Sequence, residues 1–246
     1  MTHKTAFSLQ PGAAGDPIRL LASIATADEA RIAAAAGVDI IDAKDPMRGA
    51  LGALESATLQ AIRAIVPRSV PLSATTGDID AGETARIVNE IERIAAAGVD
   101  VVKIGFFGDV DFSPLLGALG AHTTASYAFG RRVGVIIADQ VQDWDFIGQL
   151  PSAGFSGVML DTADKSSGAL VDVVPRPRIE GFLRTARRLG LLAGLAGALR
   201  LRHIREVKAL GPDIVGFRGA LCRAQSRTAR IDASAVREVR DALQEA

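Results

Sequence analysis

The chain has 246 residues, 48% of them hydrophobic, and its 28 basic residues balance 28 acidic ones at a pI near 6.8. That length and apolar content suit one domain with a large core, and the balanced charge without basic runs or aromatic platforms argues against a nucleic-acid surface. One cysteine, Cys222, excludes an internal disulfide and cysteine-pair zinc sites and is consistent with a reducing, cytoplasmic setting.

The first 17 residues, MTHKTAFSLQPGAAGDP, contain no apolar h-region and read as a flexible extension ahead of a single catalytic domain over residues 18–246. Short apolar, β-branched runs then alternate with longer alanine-rich amphipathic stretches. Strands are expected at Ile18–Ile24, Val38–Lys44, Val70–Thr75, Val99–Gly105, Arg132–Ala138, Gly157–Asp161, Leu191–Ala196 and Asp213–Phe217. Helical segments are expected after each, at Ala27–Ala36, Ser56–Val66, Glu83–Ala97, Ser113–Leu119, Asp143–Leu150, Arg178–Leu189, Arg200–Leu210 and Ser234–Glu245. Eight such units predict an α/β fold of the (β/α)8 TIM-barrel type, with its active site where the strands end. The SIATADEA segment after the first strand lacks the glycine fingerprint of a doubly wound dinucleotide-binding sheet. The longest apolar stretch, Leu189–Leu199, is too short to span a bilayer, so no membrane association is expected.

Two copies of one local pattern, AAAGVDIIDAKD from Ala34 and AAAGVDVVKIG from Ala95, carry lysines at the close of apolar runs. Counted from the glycine that opens each pattern, Asp42 (Gly37+5), Lys44 (Gly37+7) and Lys103 (Gly98+5) share parity and therefore a face. Asp42 and Lys103 should stand at one height with Lys44 a layer above. Asp161 (Gly154+7) and Arg218 (Gly211+7) join them by the same count, so five charged groups converge on one rim.

Lys44 is the leading nucleophile candidate, with an ion pair to Asp42 or Asp45 as its plain structural alternative. An ordinary lysine, with a pKa near ~10.4, is neutral in only about one molecule in 2,500 at pH 7, so imine chemistry requires help from burial or a neighbouring cation such as Lys103. Lys103 is either a general acid or base or a core lysine neutralised by Asp42. Asp161 ends its strand in MLDTADK, and Lys165 follows four residues later. The segments LAGAL, containing Gly197, and GFRGALC, containing Arg218 and Gly219, fall after the seventh and eighth strands, where barrels commonly hold phosphate. Arg218 is expected to supply a charge-assisted fork there. SATTGD, beginning at Ser73, is placed to hold substrate hydroxyls. His3, His122 and His203 are not at strand ends, so neither a histidine triad nor a tri-histidine metal site is expected.

Taken in order, IIDAKDP, SATTGD, VVKIG, MLDTADK, LAGAL and DIVGFRGALC resemble the (5-formylfuran-3-yl)methyl phosphate synthase (4-HFC-P synthase) family of methanofuran-type cofactor biosynthesis. The resemblance implies condensation of two glyceraldehyde 3-phosphate molecules to 4-(hydroxymethyl)-2-furancarboxaldehyde phosphate, with no metal or organic cofactor. It also implies Lys44 as the imine-forming lysine, Lys103 as the proton-transfer lysine, and Asp42, Asp161 and Lys165 as supporting residues. Asp164 departs from the archaeal pattern beside Lys165. A second phosphate site is required, with Lys165 and Arg48 as candidates, and alanine-rich outer helices favour a homo-oligomer. A class I aldolase of the deoxyribose-phosphate type and a non-catalytic phosphosugar-binding barrel remain open as alternatives.

Overall fold

The computed structural model describes residues 16–125 and 131–245. The extension of residues 1–17 falls almost wholly outside them. Eight parallel strands close on themselves: β1 (Arg19–Ile24), β2 (Ile40–Ala43), β3 (Leu72–Thr75), β4 (Val101–Phe106), β5 (Arg131–Ile137), β6 (Phe155–Asp161), β7 (Leu192–Leu195) and β8 (Ile214–Phe217), with β8 paired back to β1. The outer helices are α1 (Ala27–Ala35), α2 (Ser56–Ile65), α3 (Thr84–Ala96), α4 (Ser113–Ala125), α5 (Leu170–Val173), α6 (Arg176–Arg188), α7 (Ile204–Leu210) and α8 (Ala233–Gln244).

The longer outer helices are held to the barrel by apolar faces. On α3 the buried residues are Ile87, Ile91 and Ile94, a spacing that puts all three on one face of a 3.6-residue repeat. Each such side chain contributes about 1.5–3 kcal/mol when withdrawn from water. The AAAGVD repeat has a local explanation too. Its aspartates Asp39 and Asp100, together with Asp213 of GPD, accept amides at the strand starts, those of Leu20, Leu72 and Ala193, at 2.8, 2.8 and 2.7 Å. These carboxylates close the N-terminal mouth of the barrel, opposite the face where the lysines emerge.

Three segments differ from their sequence reading. Helix α4 continues beyond Leu119 to Ala125, because Gly120 lets the helix pass against the Ser152 carbonyl, where a Cβ would sit 3.2 Å away. The Asp143–Leu150 segment forms only a 3-10 helix over Asp145–Gln149, a stretch too short, with Pro151 behind it, to build α-helical turns. In the Arg200–Leu210 segment the first turn is 3-10 (Leu201–His203), where His203 Nδ1 accepts the Arg200 amide at 3.1 Å. Helix α5 is a single turn between Gly168 and Pro175 and has no periodicity to reveal it.

The barrel interior is apolar below and charged above. Leu21, Ile40, Val101, Val133, Met159, Leu192 and Ile214 form the lower packing. Asp42 lies beside Ser73, and Ser73 beside Val101. With about eight residues of shear over eight strands, equal height advances roughly one residue per strand. Two strands from Asp42, the residue at its height is thus Lys103, two beyond Val101.

Candidate active site

Lys103 donates to Asp42 Oδ2 at 3.1 Å, and both side chains are withdrawn from solvent, at 5% and 0% exposure. Two hydroxyls complete the carboxylate's shell: Ser73 Oγ donates to Oδ1 at 2.6 Å and Ser23 Oγ to Oδ2 at 3.2 Å. A buried ion pair is tolerable only with such satisfaction of its remaining lone pairs. Burial pushes the Asp42 carboxyl up, yet the Lys103 and Lys44 ammoniums and the Ser73 hydroxyl together hold it below the usual carboxylate value. Burial also pulls Lys103 below an ordinary lysine, against the opposing pull of Asp42.

One layer higher, Lys44 Nζ lies 3.4 Å from Asp161 Oδ2 and 3.4 Å from the Ala50 carbonyl. The other carboxylate oxygen of Asp161 takes the Lys165 ammonium at 2.5 Å and the Thr162 amide at 2.8 Å, and Lys165 also donates to the Thr162 carbonyl. Lys44 therefore has the looser hold of the two ammoniums. Although burial opposes it, the Lys165 and Lys44 charges keep Asp161 far below the usual carboxylate range. Lys165 is itself lowered, first by burial and further by the Lys44 and Arg227 charges, against Asp161.

Two aspartates outside the sequence reading brace this layer. Asp139, after β5, accepts the Ala163 and Asp164 amides at 2.8 Å each and so fixes the loop that carries Lys165. Asp78, at the end of SATTGD, accepts the Ala50 and Leu51 amides at 3.0 and 2.7 Å and thereby sets the carbonyl beside Lys44. Asp164 turns to Ser166 and Ser167, whose hydroxyls hold its carboxyl down at about 2, and it leaves Lys165 to Asp161.

Above these groups opens a cavity of about 360 Å³, walled by Ser23, Lys44, Asp161, Lys165, Gly197 and Gly219 among others. Gly197 has φ +102°, and a Cβ there would lie 3.0–3.1 Å from Thr162. A Cβ at Gly219 would come within 2.6 Å of Arg200 Nη1. Ala198, Ala224 and Gln225 hold left-handed φ values of 47°, 49° and 53°. Each costs of order 1–3 kcal/mol, and such strain concentrates at functional loops. All three belong to the loops after β7 and β8.

Arg218 requires a correction. Its Nε donates to the Arg227 carbonyl, Nη1 to Glu29 and the Ser23 carbonyl, and Nη2 to Glu29 and the Ala229 carbonyl. A guanidinium has five N–H donors, and all are committed within the protein. Arg218 thus shapes the cavity wall as a clamp on the strap of residues 219–231 instead of offering a free phosphate fork. That strap brings Arg227, which donates to the Gly49 carbonyl at 3.0 Å, and Gln225 to the cavity, and Arg200 anchors it through the Gln225 carbonyl at 2.6 Å. Nothing periodic in RAQSRTAR signals this.

Ser73 is also displaced from its expected role. Together with Lys103 it borders a small apolar space under the main cavity, so it supports Asp42 from below and is not positioned to meet a substrate hydroxyl. Arg48 pairs with Glu55 at 3.3 Å beside a separate polar cleft. Lys165, Asp161 and Lys44 share the cavity as expected.

The profile of the 4-HFC-P synthase family matches residues 20–240. The chain belongs to this family. A relative in Methanocaldococcus jannaschii named (5-formylfuran-3-yl)methyl phosphate synthase is 32% identical over 246 aligned residues, covering 90% of this chain and 98% of that protein. Another, in Methylorubrum extorquens, assigned provisionally to the same activity, is 42% identical over 225 residues, covering 92% and 91%. Among solved structures, phosphoribosyl anthranilate isomerase from Thermus thermophilus superposes with TM-score 0.62 at 16% identity, covering 92% of this chain and 98% of that one. A 3-hexulose-6-phosphate synthase gives 0.57 at 22%, covering 92% and 99%. These likenesses establish the TIM barrel, and the sequence relatives establish the family.

For this family member, no group of three or more His, Cys, Asp or Glu side chains among the described residues is arranged to hold a metal ion. No described helix is long and apolar enough to cross a membrane. His203 lies outside the cavity, and the buried Cys222 thiol donates to the Arg218 carbonyl at 3.2 Å, while burial raises its pKa.

Proposed function

We propose that this protein is a (5-formylfuran-3-yl)methyl phosphate synthase that condenses two molecules of glyceraldehyde 3-phosphate through an imine on Lys44. The observation that carries the reading is the stacked pair of lysine–aspartate sites. Lys44 opens onto the cavity beside Asp161, and Lys103 is sealed one layer beneath it on Asp42. An imine makes the neighbouring carbon acidic and so permits aldol addition, while a second amine with a depressed pKa can move protons during elimination and ring closure. Loss of one phosphoric acid and two waters from two triose phosphates leaves the six-carbon furan aldehyde phosphate, so the atoms balance without an oxidant or reductant.

Anion binding falls to the loops around the cavity. The β7 and β8 loops at Gly197 and Gly219 allow a phosphate close to the backbone, and Arg227 from the strap after β8 and Lys165 from the loop after β6 add positive charge to the same cavity. This arrangement takes the place of the Arg218 fork. The partners are accordingly small triose phosphates, and no cofactor is called for by the chemistry. Cytoplasmic location and assembly into a homo-oligomer belong to the same proposal.

The test is incubation with glyceraldehyde 3-phosphate while following inorganic phosphate and furan absorbance, with borohydride trapping of the protein and of Lys44→Ala. Phosphate, furan and a trapped adduct that disappears in Lys44→Ala are expected. A trapped adduct without phosphate release would replace the reading with a class I aldolase. Neither signal from a folded protein would favour a phosphosugar-binding barrel.

A further inference from the structure

The proton-transfer lysine of the proposed reaction is walled off from the place where the reaction would occur. Among the described residues around the main cavity, neither Lys103 nor Asp42 forms part of its lining, whereas Ser23 does. Ser23, the penultimate residue of β1, stands beside Asp42 in the strand register, with 3% of its surface exposed. Its hydroxyl meets Asp42 Oδ2 at 3.2 Å, the same oxygen that receives Lys103 Nζ at 3.1 Å. Ser73 makes the shorter contact, 2.6 Å, but on the other oxygen and on the side away from the cavity. Two serines therefore grip one carboxylate, and only one of them reaches the substrate space.

We propose that Ser23 is the proton relay between a substrate oxygen in the cavity and the buried Asp42–Lys103 pair. This inference rests on the synthase reading of the same site. In the acid direction, the Ser23 hydroxyl proton passes to a departing substrate hydroxyl, which leaves as water. Ser23 Oγ is reprotonated through Asp42 Oδ2, and Lys103 changes from ammonium to amine. One proton leaves Lys103 and one arrives on the leaving oxygen; the reverse sequence recharges Lys103 when a substrate oxygen must lose a proton. A hydroxyl can serve because it donates and accepts at once.

The two serines provide an internal control. The experiment compares the parent protein with Ser23→Ala, Ser23→Thr and Ser73→Ala, measuring phosphate release from glyceraldehyde 3-phosphate, its solvent deuterium isotope effect with a proton inventory, and borohydride trapping at Lys44. Thermal unfolding of each variant is recorded alongside. Ser23→Ala is expected to lower kcat about 100-fold, in the range of a lost acid–base contribution, with KM changed little and the Lys44 adduct still trapped. Ser23→Thr, which keeps a hydroxyl, should recover at least about a tenth of the parent kcat. The multi-proton inventory of the parent should persist in Ser73→Ala and disappear in Ser23→Ala. Retention of kcat within about threefold in a folded Ser23→Ala would overturn the relay, since that loss lies far below an acid–base contribution. So would parallel losses in Ser23→Ala and Ser73→Ala with an unchanged inventory, which would leave Ser23 only a positioning residue for Asp42. A parent protein that neither releases phosphate nor traps an adduct would instead overturn the synthase reading, and the relay with it.

Discussion

Glu29 holds the cavity wall from the neighbouring corner between β1 and α1. It sits in the first turn of α1, where it accepts the Ala25 amide at 2.8 Å and the Ile231 amide at 3.1 Å and takes both terminal nitrogens of Arg218 at 2.7 and 3.1 Å. The Arg218 and Glu29 side chains are 11% and 5% exposed. In Glu29→Ala the guanidinium stays buried without its counter-charge, which costs about 3–5 kcal/mol. At roughly 2–4 °C per kcal/mol for a domain of this size, the melting temperature should fall by about 6–20 °C. Circular dichroism melts of Glu29→Ala, Arg218→Ala and the double variant test this. The double variant should lose clearly less than the sum of the single changes, because removing both partners removes the stranded charge. Although burial opposes it, the bonds from Arg218, Ala25 and Ile231 hold the Glu29 carboxyl below its ordinary value of 4.5. The folded pKa is thus the lower one, so the stabilisation is complete above about pH 4.5 and is lost as pH falls through the folded value. The gap between the parent and Glu29→Gln should accordingly close on acidification. A drop under about 2 °C for Glu29→Ala, well below the expected range, or additivity in the double variant, would refute the assignment of Arg218 to the clamp.

Arg227→Ala should raise KM for glyceraldehyde 3-phosphate about 10-fold or more while kcat changes little, since a phosphate-facing charge acts on binding; steady-state phosphate release measures the split. Gly197→Ala must adopt φ +102° and press on Thr162, and at about 1–3 kcal/mol it should lower the melting temperature by several degrees and weaken inorganic phosphate binding measured by calorimetry. Asp42 and Asp161 both have folded pKa values below the unfolded carboxylate value. Their stabilisation is complete above about pH 4 and is lost below it, so urea midpoints should be level from pH 7 to 5 and fall steeply towards pH 3, and a flat profile would count against both pairs.

Much of the barrel was legible because its signals are local. Hydrophobic runs of strand length, the turn glycines Gly37 and Gly98 and the isoleucine stripe of α3 each report on a few neighbouring residues. Parity counting from those glycines placed Lys44, Lys103, Asp42 and Asp161 on the barrel's inner, upper face, and in the structure they form two ion-paired layers. The short 3-10 and one-turn helices escaped because they hold too few residues to set a period.

What the sequence determined by itself, then, was the order of elements and the direction in which each strand-end side chain points, because a strand alternates faces every residue regardless of what lies across from it. Which partner waits there was decided only by tertiary structure. Arg218 points to the rim as its parity requires, yet Glu29, 189 residues away in sequence, takes its charge. Ser23 carried no signal as a lone serine inside the apolar run of β1, and it became a link between cavity and core only when β1 paired with β2 in the sheet. Donor counts and charge compensation are properties of a three-dimensional neighbourhood, and the strap after β8 acquires its place through such long-range hydrogen bonds.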